Sequence, residues 1–304
     1  MSPARKRVYI ELLIVAVIWG SAGPIIKYTL EGFSSAVFLT YRFFISAIVA
    51  FAIFAFTGIK FPKKPKILAI TLLNGFLLST VSIGLLFLGI DKTTSINSNL
   101  ISAASPIVIA VAGVFFLKEH ITKRESVGIL IALMGTLITI VEPILKLNNG
   151  FGGLEGNLLV LASVMVGAVT AIFAKIILRD NVDAVFATNI SFIIGFITML
   201  PIVFAVNSGK NIISEILTTP VRYHLGVFYM ALLSGTLAYF LWHKAEKTIE
   251  IGEVNLISYL YPLFGAPLSV FWLGEKIGTP FIVGGLLIAA GVTLAQVKKK
   301  RYNS

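Results

Sequence analysis

The stretch NLISAASP, residues 99–106, is written again as NLISYLYP at residues 255–262, with Asn, Leu, Ile, Ser and Pro at the same spacing. Working outward, FFLKE (115–119) meets FWLGE (271–275), Gly128 meets Gly284, and Gly135 meets Gly291, all at the same offset of 156. Towards the N-terminus AVFLT (36–40) meets AVFAT (184–188), and Lys27 meets Lys175, at an offset of 148. Longer loops in the second half absorb the difference. The chain is one unit used twice.

Of the 304 residues, 57% are hydrophobic and only 13% charged, and the mean hydropathy is +0.93. A soluble domain carries about 25% charged residues, so such a chain would lack the polar surface that water requires. The apolar residues also come in long blocks, and a block of about 20 crosses a bilayer as a helix. Ten blocks are readable: 8–30, 36–57, 67–90, 96–117 and 126–142, then 155–178, 184–206, 221–243, 251–273 and 280–297. The expected fold is all-α: a polytopic membrane protein with ten transmembrane helices.

Five helices per unit is an odd number, and that decides the geometry. When the first helix of unit one runs inward to outward, the first helix of unit two runs the other way. The units, 8–142 and 155–297, are therefore inverted repeats. They are joined by an external linker, 143–154, within the Gly- and Asn-rich stretch EPILKLNNGFGGLEGN. Inverted repeats are a recurrent architecture of secondary transporters, whose substrate site lies near the midplane between them. The repeated phrase reads most simply as the mark of alternating access.

Lys and Arg in short loops set the orientation. The outer loops hold only Lys92, Lys146, Lys210, Arg222 and Lys276, whereas the inner segments run from Arg5, Lys6 and Arg7 to Lys298–Arg301. Both termini are expected in the cytoplasm, in a cell membrane. The opening RKR followed by an apolar run resembles a signal peptide, with Ser21-Ala22-Gly23 as a cleavage site. The run is longer than such peptides carry and Pro24 follows the site, so it is read as the first span.

Several chemistries are excluded. There is no cysteine, and the three histidines stand in no metal-ligand spacing such as H-E-x-x-H. No phosphate-binding G-x-x-x-x-G-K-[ST] run occurs, and the spans hold no Ser-His pair and no paired aspartates. No metal, no cofactor and no enzyme activity are expected. The net charge of +11 is read as cytoplasmic loop bias, so nucleic acid is not an expected partner. The expected partners are a small-molecule substrate and the lipid bilayer.

Polar residues inside the spans are the site candidates, because lipid-facing positions would penalise them. Asn99 and Ser102 share one helix face, as do Asn255 and Ser258, with Tyr259 beside them. They serve either as interhelical hydrogen bonds or as contacts to a polar solute. Pro106 and Pro262 sit mid-span, where a helix-interior proline frees a carbonyl and bends the helix, as a static kink or as a hinge. Lys27 and Lys175 are symmetry mates near opposite ends of the membrane. They snorkel, or they pair with the repeat-matched glutamates: Lys27, with Arg42 nearby, to Glu275, and Lys175 to Glu119.

The chain resembles the EamA-type branch of the drug/metabolite transporter superfamily over nearly its whole length, one unit in each half. The resemblance rests on IWGSAGPIIKYTL in the first helix and YRFFISA in the second. It rests also on NLISAASPIVIAVAGVFFLKEHITKRESVGILIALMGTLI, and on LAYFLWHKAEKTIEIGEVNLISYLYPLFGAPLSVFWLGEKIGTPFIVGGLLIAAGVTL. It implies transport of metabolites, often amino acids and usually outward. It also implies that the first, third and eighth helices surround the cavity, which makes Trp19, Asn74, Ser79, Ser82 and Tyr239 candidates. Trp242 is expected in an interfacial belt. The small multidrug-resistance relatives carry a first-helix glutamate near the position of Trp19-Gly20; here the nearest acid is Glu11, so proton-driven multidrug export is not expected. The glycines at 128, 135, 284, 285 and 291 are read as close-packing devices, with a homodimer face on the last helices left open. Two other readings stand beside metabolite export: a lipid-linked carrier or flippase, and an anion exchanger like the related sugar-phosphate transporters, using the two lysines.

Overall fold

The computed structural model describes residues 3–117, 123–145, 152–206, 212–248, 254 and 256–296, and among these every regular element is helical. The first repeat comprises α1 (Pro3–Thr29), α2 (Ser35–Thr57), α3 (Pro65–Lys92), the pair α4 (Ser95–Ala103) and α5 (Ser105–Leu117), and α6 (Lys123–Leu145). The second comprises α7 (Gly152–Arg179), α8 (Ala184–Val206), a short α9 (Ile212–Thr218), and α10 (Val221–Thr248). A 3-10 turn (Leu256–Leu260) then leads into α11 (Tyr261–Leu273), and α12 (Thr279–Gln296) closes the chain. Each expected span finds its helix, within about a turn and a half at either end. The exception is the start of the ninth, where 251–253 and 255 lie outside the described residues. The exposed α9 occupies a segment that the apolar pattern left as a loop.

The packing obeys the repeat. Helix α1 packs on α10 and α11, and its counterpart α7 packs on α3 and on α4 and α5. The second helices α2 and α8 pack on each other, as do the last helices α6 and α12. A two-fold exchange of units reproduces this pattern, as inverted repeats require.

The third helix of each repeat carries a π-helical segment, Phe76–Ser82 in α3 and Tyr229–Leu237 in α10. A π segment shifts the hydrogen-bond ladder by one residue and releases a carbonyl. In a membrane that carbonyl must find another donor, and here neighbouring helices supply it. Ser163 Oγ donates to the Ser82 carbonyl at 2.8 Å, Trp19 Nε1 to that of Ser234 at 3.0 Å, and Ser46 Oγ to that of Ala231 at 3.3 Å. Return bonds run from Ser82 Oγ to the Ser163 carbonyl, 3.0 Å, and from the Tyr229 hydroxyl to the Ile18 carbonyl, 2.9 Å. Crossed pairs thus tie α3 to α7 and α10 to α1.

The fourth spans break rather than bend. Helix α4 ends at Ala103, and α5 restarts at Ser105 with Pro106 in its first turn; α11 likewise starts at Tyr261 with Pro262 next. The helix-interior proline expected at both places is corrected. A proline in the first turn of a fresh segment has no N–H to lose, and Ser105 Oγ donates to the Ser102 carbonyl exposed at the break.

The glycines seal α6 to α12. A Cβ on Gly135 would stand 2.6 Å from the Gly284 carbonyl oxygen, and one on Gly291 would stand 2.4 Å from that of Gly128. Small residues let the two backbones touch. These four are consumed inside the chain, so they provide no glycine face for a second copy.

Candidate substrate site

The deep interior between α1, α2, α8, α10 and α11 is aromatic. Trp19 meets Tyr239 edge-on at 4.9 Å between ring centroids, Trp242 at 5.1 Å and Tyr261 at 6.3 Å, and Phe192 reaches Tyr239 at 5.7 Å. Tyr239 and Tyr261 are half-buried within this cluster. Gly84 of α3 is buried, yet nothing stands within 4 Å of where its Cβ would be. One turn along α3, Phe87 packs against Arg42. A mostly apolar lining with a few polar anchors is what small-molecule sites use.

Arg42 is the largest of the fully buried side chains, 2% exposed. Its guanidinium lies over the rings of Phe43, at 5.3 Å, and Phe87, at 5.5 Å, and within electrostatic reach of Tyr239. Its Nε has no hydrogen-bond partner, and no carboxylate among the described residues stands within ion-pair distance of it. A buried cation without a counter-ion is costly, and two ring faces offset only part of that cost.

At the N-terminal end of α1, two acids border this centre. Glu246, its side chain 2% exposed, accepts Trp242 Nε1 at 2.9 Å and faces His243 Nδ1 at 2.9 Å. Glu11 binds Lys244 at 2.6 Å and Arg7 at 3.1 Å through one oxygen, while its Oε2 is buried without a partner.

The opposite end is closed by a clamp on one tight junction, between α3 and α4. The Lys27 ammonium donates to the carbonyls of Ile90, 2.9 Å, and Asp91, 2.8 Å. Glu275 accepts the backbone N–H of Ser95, 2.8 Å, and of Ile96, 3.0 Å. A cation thus caps a helix C-terminus and an anion the next helix N-terminus, each matched to the exposed backbone dipole. The expected direct Lys27–Glu275 pair is corrected: among the described residues no ion pair joins them, and none joins Arg42 to Glu275. The mirror partner Glu119 lies outside the described residues, so the Lys175 end is undescribed there. Thr93, which donates to Asn157 Oδ1 at 2.5 Å, and Ser35, which donates to Asp91 at 3.2 Å, add further ties to the junction.

The remaining sequence candidates divide. Trp19 and Tyr239 stand together in the aromatic centre. Asn99 does not join them: 5% exposed, it donates to the Gly20 carbonyl at 3.2 Å and is walled in by Gly23 and Gly265, a tie between α1, α4 and α11. Its repeat mate Asn255 lies outside the described residues. Ser102 is half-buried beside the break in the fourth span, and Ser258 is buried. Tyr259 packs against the cluster of Leu100, Ile129 and Ile288. Asn74, Ser79 and Ser82 line the seams of α3 with α7 and α8, where Asn74 Oδ1 and Ser79 Oγ are buried without partners. Trp242, expected in an interfacial belt, meets Trp19 with its ring tilted by 45°.

Sequence reasoning missed Arg42 as a central residue, along with Tyr261, Phe192 and Glu246. Only W-H-x-x-E at 242–246 offered a signal, since i and i+4 share a helix face.

A two-fold bundle of membrane helices around an aromatic centre defines a polytopic membrane transporter. The EamA-like transporter family matches residues 6–141 and again 154–296, and the chain belongs to that family. It is 24% identical over 306 residues to the "Uncharacterized transporter YyaM" of Bacillus subtilis, covering 98% of this chain and 96% of that protein. It is 27% identical to a "Probable amino-acid metabolite efflux pump" of Salmonella typhimurium, covering 95% and 94%. A solved crystal structure, 16% identical, shares the fold with a TM-score of 0.65 over 98% of this chain and 99% of that one.

Proposed function

We propose that this chain is a secondary transporter that exports or equilibrates small metabolites such as amino acids, by alternating access between its inverted repeats. The observation that carries the reading is the aromatic centre where helices of both repeats meet around Trp19, Tyr239 and Tyr261. The efflux-pump relatives supply the substrate class, and the Lys and Arg bias supports a cell membrane with both termini in the cytoplasm. No acid stands on α1 at the level of Trp19, and Glu11 is held by two cations, which supports transport down the substrate's own gradient, with the buried Glu246 as the other acid beside the centre. A lipid-linked carrier has one observation in its favour, an apolar groove of about 310 Å³ between α2, α8 and α9, lined by Phe44, Phe196 and Ile213 among others.

The test uses purified protein in liposomes preloaded with unlabelled amino acids, with uptake of labelled ones followed singly. Exchange of a few amino acids, indifferent to an imposed pH gradient, is expected. No exchange above protein-free liposomes by folded protein would overturn the reading, and scrambling of a labelled lipid instead would favour the carrier.

A further inference from the structure

We propose that Arg42 is the anchor for the substrate's carboxylate, so that the transported class is small monocarboxylates with an apolar or aromatic body. The inference rests on the transporter reading and sharpens it to one group.

The argument starts from what Arg42 lacks. Its guanidinium carries a permanent charge and is buried inside a membrane bundle, with its Nε lacking a hydrogen-bond partner and no ion pair to it among the described residues. A purely structural arginine at this depth would be satisfied by carbonyls or an acid. Lys27 is satisfied in that manner and Arg42 is not. A planar fork of donors suits a carboxylate, which it binds in a bidentate pair. A phosphate dianion calls for more positive charge, and the ammonium of Lys27 is already committed to two carbonyls. Beyond the guanidinium the surroundings are rings: Phe43 and Phe87 flank it, Tyr239 stands within its field, and Trp19 and Tyr261 continue the wall. An apolar body fits that wall better than a polyhydroxylated one. The open space beside Gly84, one turn from Phe87, gives the ligand somewhere to enter.

The test reads binding through tryptophan emission, because Trp19 and Trp242 lie in the same centre. Purified wild-type protein is titrated with L-leucine, L-phenylalanine and phenylpyruvate, with leucinamide and phenylalaninamide, and with glycerol 3-phosphate. Arg42→Gln and Arg42→Lys follow, each checked for monodispersity. The acids should perturb the emission and the amides should bind about 10- to 100-fold more weakly, the range of a charge-assisted hydrogen bond. Arg42→Gln should erase that preference, and Arg42→Lys should keep part of it.

Amides that bind as well as their acids would overturn the proposal, as would full preference in Arg42→Gln or no response to any carboxylate. Glycerol 3-phosphate binding more tightly than every carboxylate would overturn it in favour of a phosphate site. Should Arg42→Gln fail to fold, the acid-against-amide comparison in the wild type still decides. Phenylpyruvate binding through Arg42 without amino-acid exchange in liposomes would leave this inference standing while the amino-acid reading fell.

Discussion

Glu275→Gln puts the clamp on the α3–α4 junction to a quantitative test. In the structure its two carboxylate oxygens each take one backbone N–H, from Ser95 and Ile96. The amide keeps one acceptor, so one charge-assisted bond is lost, about 1.5–3 kcal/mol. Removing negative charge from a helix N-terminus costs about 0.3–1 kcal/mol more. Glu275 is half-buried, which places the sum nearer the lower limit, about 2 kcal/mol. Lys27→Met removes the opposite half, two bonds to carbonyls, and should cost a similar amount. The informative quantity is the coupling between the two. Lys27 and Glu275 grip different backbone groups, and at the wet end of the bundle the direct attraction between them is at most about 1 kcal/mol. A double-mutant cycle measured by reversible denaturant titration in detergent should therefore be nearly additive. A coupling as large as either single effect would refute the clamp and restore a direct ion pair.

Three further outcomes are expected. Gly84→Leu should fold, since nothing stands within 4 Å of the new Cβ, yet abolish exchange in liposomes by filling the space; unchanged exchange would separate that space from the transport path. Gly291→Val must move backbone, with Gly128 O at 2.4 Å and Ala132 N at 2.5 Å from the new Cβ, and overpacking should cost at least about 1–3 kcal/mol in the same titration. Trp19→Phe keeps a ring in the cluster but leaves the Ser234 carbonyl without its donor, which should cost about 1–3 kcal/mol and weaken substrate binding; full stability would mean that the π segment re-satisfies itself.

Length, hydropathy and repetition determined the helices, the ten spans and the inverted pairing, because each depends on local composition or on counting. A membrane span must satisfy its own backbone, so an apolar block of about 20 residues leaves little choice but a helix, and five per unit fixes the opposite polarity. The two prolines were legible as special positions for the same reason. Only tertiary structure decided which polar residues face one another. Asn99 and Trp19 looked equally eligible in the chain, yet Gly20, Gly23 and Gly265 close around the first while the second meets Tyr239. Lys27 and Glu275 each have a mate in the other repeat, but the direct contact expected between them is replaced by two grips on one backbone junction, which no side-chain pattern reveals. The π segments were invisible, since they appear only once neighbouring helices supply donors to the released carbonyls. Arg42 read as a gate residue beside Lys27 near a span end; its place among the rings depends on Phe43 and Phe87, from two different helices, closing over it.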